Sequence, residues 1–486
     1  MGKILGHLKP ELVWHYFEEI CQYPRPSKKE EKIAEYVVSV GKRLGLQTEK
    51  DKFGNILIRK PATPGYENRK TVALQGHIDM VCEKNRGVEH DFDNDPIYPY
   101  IDGDWVKAKG TTLGADNGIG VACALAVLED KDIEHGPIEC LFTLDEETGL
   151  TGASSLKKNW LKADMLINMD SEELGTIFIG CSGGKNTAAT FKAKMEKTPK
   201  NYSAFELKVA GLKGGHSGLE IHVGRGNAVK ILNRAIWSYS KENTLLLAEI
   251  NGGNKHNAIP REAFAVVLVP KNDEKKFKKF VENYSQTVKA EYERVDAGVV
   301  VSAEKHAVPE KVMDEKTQKR LVNALYAIPH GVIKMSNDIL GLVETSTNLA
   351  VVETVGKNIN IVTSQRSPVA SQNVDITSMV TSVLNLAGAD ISYGDGYPGW
   401  APDINSDILK VFRSTFNQMY GKEPEVTAIH AGLECGIIKE KYPEMDMISF
   451  GPTMQDVHSP DEKLQISTVP EFYNQLKTVL KNIPAK

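Results

Sequence analysis

Three apolar runs with the length of β-strands each lead into a motif built from metal-ligand residue types. Thr71-Val72-Ala73-Leu74 leads to Gly76-His77-Ile78-Asp79, residues 138–144 run into Asp145-Glu146-Glu147-Thr148-Gly149, and residues 165–169 end at Asp170. A fourth run, Met447-Ile448-Ser449-Phe450, precedes Val457-His458-Ser459. Helical patterns lie between them. Residues 28–45 place Ile33, Tyr36, Val37, Val40 and Leu44 on one face, and residues 117–128 carry Gly118, Gly120, Ala122 and Ala124, which permit close packing. Strands alternating with helices predict an α/β chain with a three-layer domain and a mixed central sheet. In open sheets of this kind, ligands gather beyond the carboxyl ends of the strands. A further motif, Gly114-Ala115-Asp116-Asn117-Gly118, opens the second helix.

The middle of the chain follows another pattern. Residues 202–209 alternate as a strand, a Gly-rich stretch follows at 211–218, and a helix covers 227–239. Strands near 245–250 and 263–269 and a charged helix at 273–290 come next. From about residue 297 the order recurs: strand, helix (316–327), strands (348–353 and 358–364), helix (376–386), strand (389–393). This suggests an inserted α+β lid of two similar lobes. The breaker cluster Gly394-Asp395-Gly396-Tyr397-Pro398-Gly399 marks a boundary. The predicted layout is a catalytic domain in two parts, residues 1–186 and 398–486, interrupted by a lid at 187–397.

Size agrees with this division, because single cores stop growing at about 250–300 residues and the chain has 486. A net charge of -5 lacks the basic excess of a nucleic-acid binder. The run Asp273-Glu274-Lys275-Lys276-Phe277-Lys278-Lys279 reads as a solvated helix face. Six cysteines with no C-x-x-C pair are expected to be reduced, mostly buried thiols. No apolar run has the length of a membrane span. The N-terminal stretch has no signal-peptide core, and Gly6 stands where myristoylation needs Ser or Thr. A cytoplasmic protein with no nucleic-acid or membrane partner is the expectation.

Each motif alone has a plain structural reading. Asp116 at a helix start could be an N-cap, and Glu146-Glu147 could be solvated acids. Asp170 could cap a strand end, and His458 could be a loop histidine. Taken together they supply nitrogen and carboxylate donors without thiolate, which suits zinc, cobalt or manganese. His77 and Asp79, one residue apart on a strand end, point to the same side. One can bind a cation while the other orients it. Of Glu146 and Glu147, one can ligate and the other can act as a general base.

The array resembles the aminoacylase/carboxypeptidase-type clan of co-catalytic metallopeptidases, and within it the bacterial aminoacyl-histidine (Xaa-His) dipeptidases. The likeness spans nearly the whole chain. It includes Leu74-Gln75-Gly76-His77-Ile78-Asp79-Met80-Val81, Thr111–Gly118, Leu144–Gly149, Gly214-Gly215-His216-Ser217-Gly218 and His430-Ala431-Gly432-Leu433-Glu434-Cys435-Gly436. The resemblance implies two divalent metal ions, with zinc first and manganese or cobalt as alternatives. His77 and Asp170 would complete one site, Glu147 and His458 the other, and Asp116 would bridge them. Asp79 would orient His77, Glu146 would be the general base, and His216 would stabilise the oxyanion. Asn257, Arg366 and Gly432 would bind substrate, Arg366 through the carboxylate. Clan members often carry a second Asp after the bridging one, joined by a cis peptide; here Asn117 stands there. The implied activity is hydrolysis of unblocked dipeptides, Xaa-His dipeptides such as carnosine among them. The alternatives are an N-acyl amino-acid deacylase or carboxypeptidase, or a non-catalytic peptide-binding protein. A homodimer that lends His216 between chains is an open alternative to a monomer.

Overall fold

The computed structural model describes residues 4–486; residues 1–3, where the stretch read for a targeting signal begins, lie outside them. The chain divides into two compact units. The first comprises Met1–Cys181, Trp400–Ala428 and Leu433–Lys486, and the second comprises Ser182–Gly399 and Ile429–Gly432. The linear reading had placed 429–432 within the 398–486 part; the contacts of this short segment put it in the second unit.

The first unit is built on an eight-stranded mixed sheet. Its centre is four parallel strands, in the order Ile138–Thr143, Val72–His77, Met165–Asn168 and Asp446–Ser449. The first three are buried along their full length, as parallel strands covered on both faces must be. Antiparallel neighbours flank them, Ile56–Lys60 beside Ile138–Thr143 and Thr176–Cys181 beside Asp446–Ser449. Helix Ala115–Glu129 packs on strand Val72–His77 and on helix Glu11–Ile20. It is buried almost all round, so its sequence carries no amphipathic stripe. Glycine makes that packing feasible. A Cβ built on Gly120 would lie 2.6 Å from the Met169 carbonyl oxygen and 2.5 Å from Asn117 Oδ1. A smaller four-stranded sheet joins Pro99–Asp102, Trp105–Ala108, Lys463–Gln465 and Met454–Gln455.

The main sheet of the second unit contains two copies of a β-α-β-β-α-β pattern, with Gly331–Met335 as an added strand on Val343–Val355. In the first lobe, strand Tyr202–Ala210 pairs with Ala263–Pro270 on one side and Val300–His306 on the other, and Leu246–Gly252 lies outermost. In the second, Gly183–Lys192 takes the place of Tyr202–Ala210, pairing with Asn358–Ser367 and Asp390–Tyr393, with Val343–Val355 outermost. The lobes join edge to edge where Gly252 meets Val352. The recurrence therefore starts elsewhere than expected. The strand after residue 297 closes the first lobe, and the second lobe takes its first strand from residues 183–192, so the first lobe is inserted into the second. Four helices, Ala228–Ser240, Glu274–Glu291, Glu315–Ala327 and Ala370–Ala387, contribute to a shared core with Phe191, Phe205, Leu247, Ile359 and Leu384. The last helix starts at Ala370, six residues before the apolar pattern suggested, because its first turns are polar. All six cysteines are free, and all but Cys82 are buried. Among the described residues no helix is long and apolar enough to cross a membrane.

Gly120→Ala is expected to destabilise the protein by about 1–3 kcal/mol through overpacking, although alanine has the higher helix propensity. A urea-unfolding midpoint equal to that of the parent protein would contradict the close approach at Met169.

Candidate metal centre and carboxylate site

The ends of the central strands bring the acidic and histidine motifs of the first unit together. His77 closes its strand and is almost fully buried, with Nε2 3.1 Å from Asp116 Oδ1 and 3.2 Å from Asp170 Oδ1. His458 Nε2 lies 3.1 Å from the other oxygen of Asp116, Oδ2, and 3.0 Å from Glu147 Oε2. Asp116 thus divides its two oxygens between two imidazoles. Three groups have donor atoms within 4.8 Å of one another: His77, Asp116 and Asp170; Asp116, Glu147 and His458; and His77, Glu146 and Glu147. His458 is half-exposed, whereas Asp116 is 12% exposed.

Asp116 is not an N-cap. The N-cap position is Gly114, which has no capping side chain, and Asp116 and Asn117 have non-helical dihedrals. The Asp116–Asn117 peptide is cis. Asn117 turns away from the acids, donating through Nδ2 to the Met169 carbonyl at 2.6 Å.

Asp79 does more than face His77 Nδ1 at 3.2 Å. Its Oδ1 accepts from the Glu146 amide at 3.1 Å, and its Oδ2 accepts from the Glu147 amide at 3.2 Å and from Ser27 Oγ at 2.7 Å. One buried carboxylate therefore fixes both the imidazole and the pair of acids that follow the next strand. Burial would raise its pKa, but His77 and these donors hold it at about 2.

The electrostatics of the cluster pull in opposite directions. Burial opposes ionisation of Asp116, yet His458 and His77 push its pKa well down. Burial raises Asp170 and Glu146 well above the carboxylate range, with neighbouring acids adding to the shift. Hydrogen bonds to Asp116 and Glu147 lift His458 to about 11. Glu147 Oε1 and Asp170 Oδ1 are buried without a hydrogen-bond donor. Buried carboxylate oxygens with no donor, beside histidine nitrogens and with no thiolate, fit divalent cations.

The second unit gathers a different set. His216 Nδ1 accepts the amides of Gly218 at 3.2 Å and Leu219 at 3.0 Å. Burial and Arg366 lower its pKa to about 4, so at neutral pH the ring is uncharged and carries its proton on Nε2. The Asn257 carbonyl accepts the Ser217 amide at 2.9 Å, beside the short pairing of His216 with Ala258. Arg366, on strand Asn358–Ser367, is buried. Its Nη1 donates to Tyr397 Oη at 2.8 Å, and its Nε has no partner. Gly432 lies against the Tyr397 ring, where a Cβ would approach to 2.8 Å. A Cβ on Gly218 would lie 3.1 Å from His216 Cε1 and 3.3 Å from Arg366 Nε.

His430 and Glu434 stand in a motif quoted above without a role, and Arg25 has no mark in the sequence. His430 bonds Ser182 Oγ and Ser346 Oγ through its two nitrogens, both at 2.7 Å, and so ties down the 429–432 segment. Glu434 Oε2 accepts from Gln75 Nε2 and Thr143 Oγ1, both at 2.6 Å, beneath the strand ends. Arg25 and Glu462 grip the backbone around Asp116. Tyr397 was noted only as part of a breaker cluster.

Comparison with known proteins places this geometry. The model of a family described as peptidase family M20/M25/M40 matches residues 73–482. A cytosol non-specific dipeptidase of Escherichia coli (strain K12) is 47% identical over 482 residues, 99% of each chain. The crystal structure of an aminoacylhistidine dipeptidase from Vibrio alginolyticus superposes with a TM-score of 0.94 at 46% identity, covering 99% of this chain and 98% of the other. An aminopeptidase PepT from Bacillus cereus shares the fold at 15% identity, with a TM-score of 0.55 over 98% of this chain and 99% of its own.

Chelator-treated protein is expected to take up two divalent cations per chain when titrated with zinc, manganese or cobalt. Asp116→Asn should lower that uptake, read by elemental analysis after equilibrium dialysis. Full uptake by the variant would remove Asp116 from the bridging role.

Proposed function

The chain belongs to peptidase family M20/M25/M40, and from that membership and the two sets of side chains we propose that it hydrolyses unblocked dipeptides, Xaa-His dipeptides among them. The observation that carries the reading is the division of Asp116 between His77 and His458 at 3.1 Å each, with Glu146 beside them free to handle protons. We assign His77 and Asp170 to one cation, Glu147 and His458 to the other, and Asp116 to both. Two cations held there would polarise the scissile carbonyl and acidify a water.

Glu146 takes the proton from the attacking water and passes it to the leaving amine. Its raised pKa, from burial and from Asp170, Glu434 and Glu147, suits a group that must both accept and release a proton. Neutral His216, with its Nε2–H free to donate, supplies a hydrogen bond to the developing oxyanion. Arg366 recognises the free carboxylate, for which a planar guanidinium offers paired donors, and its partnerless Nε supports this role. Asn257 and Gly432 complete the substrate contacts. Zinc is the assigned metal, with manganese and cobalt as alternatives, and the cytoplasm is the location that goes with this reading; a monomer whose own lid supplies His216 and a homodimer are the two assemblies it allows. The preference for histidine rests on the relatives, since no residue described above selects an imidazole.

Carnosine, Ala-His, Ala-Ala, a tripeptide and an N-acetyl amino acid, each assayed with chelator and then with metal restored, test the reading. Metal-dependent cleavage confined to free dipeptides is expected. Preferred cleavage of the acetylated compound would make the protein a deacylase, and no cleavage would make it a binding protein. Glu146→Gln should lower kcat by roughly 10²–10⁴-fold while metal is retained. Arg366→Ala should raise KM for free dipeptides by about 10–100-fold, the loss of a charged hydrogen bond, and should leave dipeptide amides little changed. Equal losses on both substrates would contradict carboxylate recognition.

A further inference from the structure

The backbone that presents Asp116 is held from outside by one carboxylate. Glu462 is 2% exposed. Its Oε2 accepts the amides of Leu113 at 2.7 Å and Gly114 at 2.9 Å, and its Oε1 accepts those of Ala115 at 2.7 Å and Asp116 at 3.3 Å. These four successive amides lead into the helix, whose N-cap position, Gly114, has no side-chain cap. The acceptor comes instead from a residue four positions after His458. Glu462 thus fastens the segment carrying the shared carboxylate to the loop carrying one of the two imidazoles.

That loop needs fastening. It spans the gap between Met454–Gln455 and Lys463–Gln465, closed by the pairing of Gln455 with Lys463. Within it Asp456 and His458 adopt φ of 56° and 62°. Such values are uncommon for residues other than glycine, although Asp and His adopt them more readily than most. Arg25 secures the other side. It too is 2% exposed, and its Nη1 donates to the Ile78 carbonyl at 3.2 Å and the Asp79 carbonyl at 2.7 Å, while its Nη2 donates to the Gly114 carbonyl. The guanidinium joins the end of the His77 strand to the same strap. Three ligand-bearing segments, 77–79, 114–116 and 456–462, therefore meet on one buried acid and one buried base, neither of which faces the donor atoms of the centre.

We propose that Glu462, with Arg25, is a positioning residue that sets the separation of the two cation sites by holding the backbone of Asp116 in register with His77 and His458. The inference rests on the reading of Asp116 as the bridging ligand. The strap decides where both oxygens of Asp116 fall, so a small shift of its backbone lengthens one contact as it shortens the other. A brace of fold alone would act on stability and not on the cations.

Three measurements test this. In the metal-free wild-type protein, the amides of Leu113, Gly114, Ala115 and Asp116 are expected to be protected from hydrogen exchange; exchange at free-peptide rates would overturn the proposal without any variant. Glu462→Gln, which can accept through one oxygen only, is expected to weaken zinc or cobalt binding by roughly 10–100-fold in competition with a chelator, the range for groups that orient metal ligands. The visible spectrum of the cobalt-loaded variant should change, and kcat should recover as metal is raised while KM stays constant. Arg25→Lys, which keeps the charge but loses the fork, should shift metal affinity in the same direction. It also decides the matter should Glu462→Gln fail to fold. A folded Glu462→Gln protein with wild-type metal affinity and cobalt spectrum would show that the residue is only a brace. Asp116→Asn serves as the control: if it too leaves metal affinity unchanged, the bridging-ligand reading itself fails.

Discussion

The sharing of one carboxylate between two imidazoles is the constraint around which the first unit is arranged. His77 Nε2 has two carboxylate oxygens within 3.2 Å and His458 Nε2 has two within 3.1 Å. A ring nitrogen carries one proton at most, so protons alone cannot satisfy four such contacts. Asp79, Asp116, Glu146, Glu147 and Asp170 crowd the same space, and burying unpaired carboxylates is costly. The opposed pKa displacements follow from this: Asp116 is driven down by its histidines while Asp170 and Glu146 are driven up. A cluster whose members disagree about their charge is stabilised by added positive charge. That is the physical content of calling it a metal centre.

Rigidity comes from how few groups do the holding. Asp79 touches the imidazole of one strand end and the amides that follow another. The parallel register beneath keeps these ends level, with Gln75 opposite both Leu141 and Asn168. Asn168 extends the order sideways, its Nδ2 donating to Gln75 Oε1 at 2.6 Å and its Oδ1 accepting the Asp170 amide at 3.3 Å and Ser449 Oγ at 2.5 Å. Buried polar networks are favourable only when nearly every member is satisfied. Here Glu147 Oε1 and Asp170 Oδ1 at the centre, and Glu434 Oε1 beneath it, have no donor.

His77, Glu146, Glu147 and Asp170 were legible because each closes or follows a short strand buried along its length, and such a strand is nearly as apolar as its environment; Asp116 was marked by its place at a helix start. Val72–His77 and Met165–Asn168 announce themselves in that way. What holds the motifs in place was not legible. Glu462 stands in Ser459-Pro460-Asp461-Glu462 and reads as one more solvated acid of a loop; its partners lie more than three hundred positions away. Arg25 sits between two prolines with nothing to mark it as buried. The lid shows the same limit. Its helices and strands follow the apolar periods, but the identity of the first strand of the second lobe depends on pairing between Gly183–Lys192 and Asn358–Ser367. A linear pattern cannot show a partner that far along the chain, so the linear order puts the second lobe's first strand at Val300–His306, which pairs with Tyr202–Ala210 in the first lobe.

The insertion of one lobe in the other explains how a duplicated sheet comes to carry unlike groups. His216 follows the first strand of the first lobe, and Asn257 lies in that lobe's central hairpin, between Leu246–Gly252 and Ala263–Pro270. Arg366 lies on Asn358–Ser367, which pairs with Gly183–Lys192 in the second lobe. The lobes share a strand order, but the connections differ: the hairpin that holds Asn257 in the first lobe is reduced to Gly356 and Lys357 in the second. The two lobes present different groups: an uncharged imidazole, His216, on the first and a guanidinium, Arg366, on the second. Burial lowers the His216 pKa, and the Arg366 charge lowers it further, to about 4. The guanidinium assigned to the substrate carboxylate therefore also tunes the imidazole assigned to the oxyanion, and the two roles are coupled through a single charge.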